Sequence, residues 1–396
     1  MNENRSAADR ATGLARSRVA AARTVLRGVL DAHLGASRAY RRAVGNHDWR
    51  RKIRQLLAHN PDLRTGSAGP HIVREARAFW GRYGVDVGDA PWHRALASAS
   101  GRADPRYVPE DVFHVDILPA LNRMELAAAY ADKNAYSRLF PTAPMLPILL
   151  RNMNGRYLDA EYGLLGVEAA EALLHSARGE YVVKPSIDSG DGKGARRLRV
   201  EDGRVLVDGS AMHLREIAAT YGGRDFLVQR HIRQHPFLAA FHPGSLNSVR
   251  ITTLRTDEHV VILMAVLHTG NHGAWLAAVS PGGAIVCGIG PSGALGGVGM
   301  DIALCTYAAH PSSGLAFDGT VPGFPALAAL ARTLHVRLPY LNFVVWEFGI
   351  GEDGGPMLID VNIRVPAMDV DQALNGPLLG EHTEWVLEHV FVRGRH

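Results

Sequence analysis

Residues 181–200 admit few folds. Tyr181-Val182-Val183-Lys184 is a short apolar run ending in a lysine and reads as a strand. Pro185 and Ser186 follow, then Ser189-Gly190-Asp191-Gly192-Lys193-Gly194, then a second strand candidate over 196–200. Two short strands joined by a glycine-rich turn form a hairpin. Glycines let backbone amides approach an anion closely, and successive amides make an anion-binding concavity. A P-loop would need glycine five residues before Gly192-Lys193 and Ser or Thr after it. Ile187 and Gly194 stand there instead. No helix follows, as a dinucleotide fingerprint would require. Two readings remain: a glycine-rich hairpin laid over phosphates, or an ordinary hairpin with a mobile tip.

The lysines favour the first. The chain has 43 basic residues, and only Lys52, Lys133, Lys184 and Lys193 are lysine. Arginine is a planar bidentate fork, whereas lysine is a compact point charge suited to sitting among phosphate oxygens. Drift toward arginine explains the scarcity of lysine but not the placing of three of the four.

With 396 residues, 47% apolar and 21% charged, the chain reads as a globular protein of two or three domains. No apolar run approaches the ~20 residues of a membrane helix. The N-terminus lacks the apolar core of a signal peptide, so a cytoplasmic location is expected, and the Arg/Ala richness reads as a GC-rich bacterial genome. Cys287 and Cys305 make neither a disulfide framework nor a zinc site. Residues 1–64 carry 13 Arg and one Lys against four Asp and one Glu. Such an arm fits an acidic partner, an anionic membrane surface or the solvated face of a helix. Nucleic acid is not expected, because aromatic interleaving is almost absent.

Helical spacing predicts helices over 6–45, 48–59, 71–83, 123–131, 132–139, 166–177, 211–221, 325–335 and 381–391. Residues 91–109 read as loop. Strands are expected at 146–150, 156–158, 226–232, 248–256, 260–269, 342–350 and 357–363, and the glycine-rich stretch 282–299 has no clear period. This divides the chain into an N-terminal helical, basic region (1–105), a segment with the glycine-rich loop (106–225) and a strand-rich remainder (226–396).

The last two strands carry acids inside apolar runs, Val-Val-Trp-Glu347-Phe and Leu-Ile-Asp360-Val-Asn362, around an Asp-Gly turn that signals a hairpin. Asp360 and Asn362 are two apart and share a sheet face, with Glu347 on the neighbouring strand. Two carboxylates and an amide oxygen are hard ligands suited to Mg²⁺ beside nucleotide phosphates. The alternative is a charge pair with an arginine such as Arg364. Leu227-Val228-Gln229-Arg230-His231-Ile232 runs from an apolar strand into a polar break and offers backbone groups to an adenine edge. Arg250 lies inside a strand and has either a phosphate or a structural carboxylate as partner.

Taken in order, these pieces resemble the ATP-grasp superfamily over residues ~110–380. Asp132-Lys133 resembles its early Asp-Lys, Val183-Lys184-Pro185 and Ser-Gly-Asp-Gly-Lys-Gly its nucleotide lysine and phosphate-covering loop, 229–232 its adenine hinge, and Glu347 with Asp360-x-Asn362 and Pro366 its metal pattern. Tyr107-Val108-Pro109, Leu246-Asn247-Ser248-Val249-Arg250 and Asp371-Gln372 are similar to the sugar-transfer associated branch. The chain departs from the family in Gln229 where Glu is usual, in the order of Glu347 and Asp360, and in Ala367 after Pro366.

The resemblance implies an α+β fold in which two subdomains grip ATP between antiparallel sheets, with an N-terminal helical region added. It implies an enzyme using ATP and Mg²⁺, a ligase that activates a small-molecule carboxylate as an acyl phosphate and joins it to an amine or other nucleophile. A phosphotransferase acting on a hydroxyl and a non-catalytic nucleotide-binding module are the alternatives. In the family's terms Lys133 and Lys184 hold α- and β-phosphates. Lys193 closes over the γ-phosphate with Ser189, Gly190 and Gly192, while Gln229, Arg230, His231 and Ile232 bind adenine. Glu347, Asp360 and Asn362 hold Mg²⁺, and Arg250 stabilises the transferring group.

Overall fold

The computed structural model describes residues 48–65, 69–187, 192–231, 233–273, 275 and 283–393. The chain divides into two compact units, Met1–Lys52 and Ile53–His396. Of the first, residues 48–52 are described and are helical. The helices expected over 6–45, and with them most of the basic arm, lie outside the described residues. Among the described residues no helix is long and apolar enough to cross a membrane.

In the second unit, strands β1 (Ile148–Met153), β2 (Arg156–Leu158), β3 (Leu164–Leu165), β4 (Gly179–Pro185), β5 (Arg196–Glu201), β6 (Arg204–Val207), β7 (Ser210–Ala211) and β8 (Phe226–Arg230) form one sheet. Its order is β3-β2-β1-β8-β4-β5-β6-β7. Strands β9 (Ser248–Arg255), β10 (Val260–Gly270), β11 (Ala284–Ile289), β12 (Leu295–Met300), β13 (Thr306–Tyr307), β14 (Phe343–Ile350) and β15 (Pro356–Asn362) form a second. Its order is β13-β12-β11-β10-β9-β14-β15. Neighbouring strands are antiparallel in both sheets. With the helices around them this is the expected α+β class. Because β8 pairs with β1 and β4, the change of sheet along the chain falls after residue 230.

Side-chain alternation explains the first sheet. In β5, Leu198 and Val200 are buried while Arg197, Arg199 and Glu201 are exposed, the pattern of a strand with one dry face. That face packs on α1 (Val167–Ser176) and α2 (Leu214–Thr220) through Ala170, Leu174, Leu214 and Ile217.

The second sheet is covered on both faces. Val249, Ile251, Leu267, Trp346 and Phe348 pack against the helix Phe324–His335 through Phe324, Leu327, Ala331 and Leu334. On the other face, Leu254, Met264, Phe343 and Val345 join Trp80 from the helix Gly69–Gly81 and Val386 and Leu387 near the C-terminus. Farther along the same strands this face turns polar, with Ser248, Arg250, His268 and Glu347 in place of apolar residues.

Several stretches differ from expectation, among them the helices Pro236–Phe241 and Asp369–Asn375, which were not expected. Residues Pro91–Ser100 are helix, not loop. Pro91 at its first turn and Gly101 at its end are helix punctuation as well as loop signals, and Trp92, Leu96 and Ala97 are buried. The glycine-rich stretch without a period supplies β11 and β12, because its glycines meet close neighbours. A Cβ on Gly299 would lie 2.4 Å from the Phe317 ring.

The start of β14 is fixed by buried Asn122. Its Nδ2 donates to the Phe343 carbonyl at 2.8 Å, and its Oδ1 accepts the N–H groups of Asn342 and Phe343, both at 2.9 Å. Asn122→Ala is therefore expected to lower the unfolding free energy by about 2–3 kcal/mol in urea melts, since it leaves buried backbone groups unpaired.

Candidate active site

Lys133 stands on a 3₁₀ turn, Lys133–Ala135, which Asp132 opens by accepting the Asn134 N–H at 3.0 Å. The turn is tied to the first sheet. The Lys133 N–H donates to the Ser186 carbonyl at 2.9 Å, Asn134 Nδ2 to the Asn152 carbonyl at 2.9 Å, and buried Arg151 to the Asn134 carbonyl at 2.7 Å. The chain continues into Tyr136–Leu139, where Tyr136 and Phe140 enter the core under the second sheet. The segment thus touches both sheets, and Lys133 crosses between them: its Nζ lies 2.9 Å from Asp360 Oδ1. The Tyr136 hydroxyl donates to the same oxygen at 2.9 Å.

Asp360 on β15 faces Glu347 on β14, and Glu347 faces Arg250 on β9. The register breaks there. Phe348 pairs with Leu358 but Glu347 pairs with Asp360, so Ile359 is the extra residue of a β-bulge. In unbroken alternation Asp360 would share the face of Leu358, which is in the core. The bulge brings it to Glu347 instead. Asn362 is half-buried two residues on, opposite Val345. The Ser248 hydroxyl donates to Glu347 Oε1 at 2.7 Å.

The charges act on one another. Burial, and then Asp360 beside it, hold the Glu347 carboxyl above its usual range against Ser248, Arg250 and Lys184. Burial also pushes Asp360 upward, but Lys133 outweighs it, with help from Lys184 and Tyr136, and the carboxyl stays below its usual range. Lys184 on β4 is pushed down to about 8 by burial and then by Lys133, against the pull of Asp360 and Glu347. Five expected residues therefore meet at one seam: Lys133, Lys184, Arg250, Glu347 and Asp360. Asp360 has Lys133 as a cation contact. Two facing carboxylates with a nearby amide oxygen fit a hard divalent cation, which would relieve the repulsion that raises Glu347.

Arg250 donates from Nη2 to the Ala367 carbonyl at 2.9 Å, and its Nε lies 3.8 Å from Asp371 Oδ2. Asp371 belongs to the helix Asp369–Asn375, which Gln372 ties to Val108: its Oε1 accepts the Val108 N–H at 2.9 Å and its Nε2 donates to the Val108 carbonyl at 3.0 Å. The other expected residues lie apart. Lys193 is exposed in the β4–β5 turn, flanked by Gly192 and Gly194 at positive φ. Gln229 is buried and donates to the Leu146 carbonyl at 3.1 Å. Arg230 and His231 are exposed at the end of β8, with backbone N–H groups on the Pro147 and Glu180 carbonyls. Ser189, Gly190 and Ile232 lie outside the described residues.

Tyr136 and His268 did not stand out in the sequence, and Ser248 stood there only as a member of the Leu246-Asn247-Ser248-Val249-Arg250 motif. Tyr136 is one helical turn beyond Lys133, and Ser248 shares a face with Arg250, but hydroxyls at such spacings are too common to stand out. His268 on β10 faces Ser248. It is buried, its Nε2 has no hydrogen-bond partner, and burial followed by Arg250 lowers its pKa to about 3, so it is neutral.

The model of the sugar-transfer associated ATP-grasp family matches residues 114–387. No curated protein matches the chain. Similar solved structures include the biotin carboxylase domain of Hydrogenobacter thermophilus 2-oxoglutarate carboxylase with MgADP, ADP and bicarbonate, at 15% identity and TM-score 0.39 over 66% of this chain and 45% of that one. The ATP-grasp ligase PsnB with a phosphomimetic minimal precursor, Mg and ADP is similar at 12% identity and TM-score 0.39, over 68% and 61%. VanG D-Ala:D-Ser ligase from Enterococcus faecalis is similar at 11% identity and TM-score 0.38, over 66% and 60%. The chain spans less than two thirds of the length of each.

Because the chain has four lysines, Lys184 can be followed by NMR in protein labelled at lysine Cε. Its resonance should titrate near pH 8, and a midpoint near the ordinary 10.5 would refute the buried cluster. Its folded pKa lies below the unfolded one. Between about 8 and 10.5 the unfolded chain therefore holds more protons, and this group makes stability rise with pH across that window.

Proposed function

The chain belongs to the sugar-transfer associated ATP-grasp family, and from that premise we propose that it is an ATP-dependent ligase. It activates a carboxylate as an acyl phosphate, releasing ADP, and an amine or other nucleophile then takes the acyl group and releases phosphate. The observation that carries this reading is the bridge between sheets, where Lys133 and Lys184 from one side meet Asp360 and Glu347 from the other.

The chemistry needs charge neutralisation and alignment more than a protein nucleophile. Lys133 and Lys184 hold α- and β-phosphate oxygens as compact cations. Lys193 closes over the γ-phosphate on the glycine-rich turn, with Ser189, Gly190 and Gly192 supplying amides. The adenine edge lies along 229–232. Since the N–H groups of Arg230 and His231 are engaged by carbonyls of the first sheet, those two residues offer adenine their own carbonyls. Glu347, Asp360 and Asn362 would hold Mg²⁺, which when bound supplies neutralisation of the phosphate charge. Arg250, oriented by Ala367 and Asp371, stabilises the charge on the transferring group. Neutral His268 lies next on the same face and gives the acceptor a hydrogen bond without adding charge. In this reading the halves that close on ATP are the two sheets, which part after β8.

Calorimetry with ATP should show binding that depends on Mg²⁺ and is lost in Lys184→Ala. Absence of binding by the wild type would refute the nucleotide site. With acids and amines supplied, ADP release should yield an amide or ester, whereas a stable phosphate ester on a hydroxyl would identify a phosphotransferase instead. Asp360→Asn should slow turnover about 100-fold or more, with the circular dichroism spectrum unchanged.

A further inference from the structure

A second cluster of ligand-type side chains lies outside this site. Glu171 and His175 stand four apart on α1, so the helix presents them on one face. His213, just before α2, comes to the same point. His175 Nε2 lies 3.2 Å from Glu171 Oε1, and His213 Nδ1 lies 3.0 Å from the same oxygen. All three ligand atoms are within 4.8 Å of one another.

The hydrogen bonds around the cluster decide what it can hold. His175 Nδ1 contacts the Gly203 carbonyl in the β5–β6 turn. A carbonyl only accepts, so the proton is on Nδ1. In the neutral ring this leaves Nε2 with its lone pair aimed at a carboxylate oxygen, lone pair against lone pair. A positive centre must lie between them, either a proton or a metal ion. The second nitrogen, His213 Nδ1, converging on that same oxygen favours the metal. A tetrahedral ion with bonds of about 2.0–2.2 Å sets its ligand atoms about 3.4 Å apart, close to both observed separations. The other oxygen, Glu171 Oε2, accepts the Leu214 N–H at 2.8 Å. Two of the three ligands are thus held in orientation by backbone groups behind them, as metal ligands are. The His213 side chain is 77% exposed, which leaves the remaining coordination position to solvent.

We propose that Glu171, His175 and His213 form a site for a divalent transition-metal ion of the zinc class, fastening α1 to the start of α2. Imidazole and carboxylate donors suit such an ion. The inference is independent of the nucleotide reading, whose metal ligands are Glu347, Asp360 and Asn362 and whose ion is a hard one.

The test uses the full chain, free of any affinity tag and stripped with a chelator, titrated with Zn²⁺ alone. The wild type should take up one more Zn²⁺ than His213→Ala or Glu171→Gln, with affinity at that site falling about 100-fold or more in each variant. Co²⁺ in its place should give visible absorption bands that both variants lose, and Zn²⁺ should raise the melting temperature of the wild type only. Both variants should bind MgATP as the wild type does. Equal zinc uptake by all three proteins, as from scattered surface histidines, would overturn the proposal. So would no uptake, which would leave an imidazolium–carboxylate pair.

Discussion

The contact between Lys133 and Asp360 holds the rest of the site in place. It joins a turn pinned to the first sheet to a strand of the second. Around it three cations (Lys133, Lys184, Arg250) meet three anions (Glu347, Asp360, Asp371) in a largely dry space. Removing one member of such a buried pair typically costs about 3–5 kcal/mol, because the other is left uncompensated. The cluster is therefore balanced by design of the fold rather than by solvent. An arriving polyphosphate would compete with Asp360 for Lys133, and the freed carboxylate is one that we propose turns to the metal.

The supports of this contact are polar groups that stabilise little by themselves. Tyr136 donates to Asp360, Ser248 to Glu347, and Asp371 stands behind Arg250. Each fixes the direction of a charge that would otherwise have rotamer freedom. The sheet's site face is apolar at one end, with Phe343 and Val345, and polar at the other, with Glu347 and Arg250, so one set of strands both anchors the core and displays the chemistry.

Much of this was legible in the sequence, for identifiable reasons. β5 and the hairpin of β14 and β15 carry strong period-2 or apolar patterns, and lysines in a chain rich in arginine stand out by rarity. What was hidden depended on distant neighbours. The helix Pro91–Ser100 looked like loop because Pro91 and Gly101 punctuate both states. β12 looked formless because its glycines are shaped by Phe317 and by the backbone of Gly288, neither adjacent in sequence. The unpaired His268 had no local signal, since only burial makes its isolation meaningful.

The bulge at Ile359 makes the frame of this hairpin depend on how one residue is absorbed. Straightening the strand with Ile359 kept would set Asp360 opposite Trp346 and carry the carboxylate into the hydrocarbon side of the sheet. Removing Ile359 altogether would leave Leu358 opposite Phe348 and Asp360 opposite Glu347 in plain alternation, with the carboxylate still on the site face. In descent, then, a relative one residue shorter here could keep the same chemistry without a bulge, whereas one that keeps the residue must keep the bulge with it.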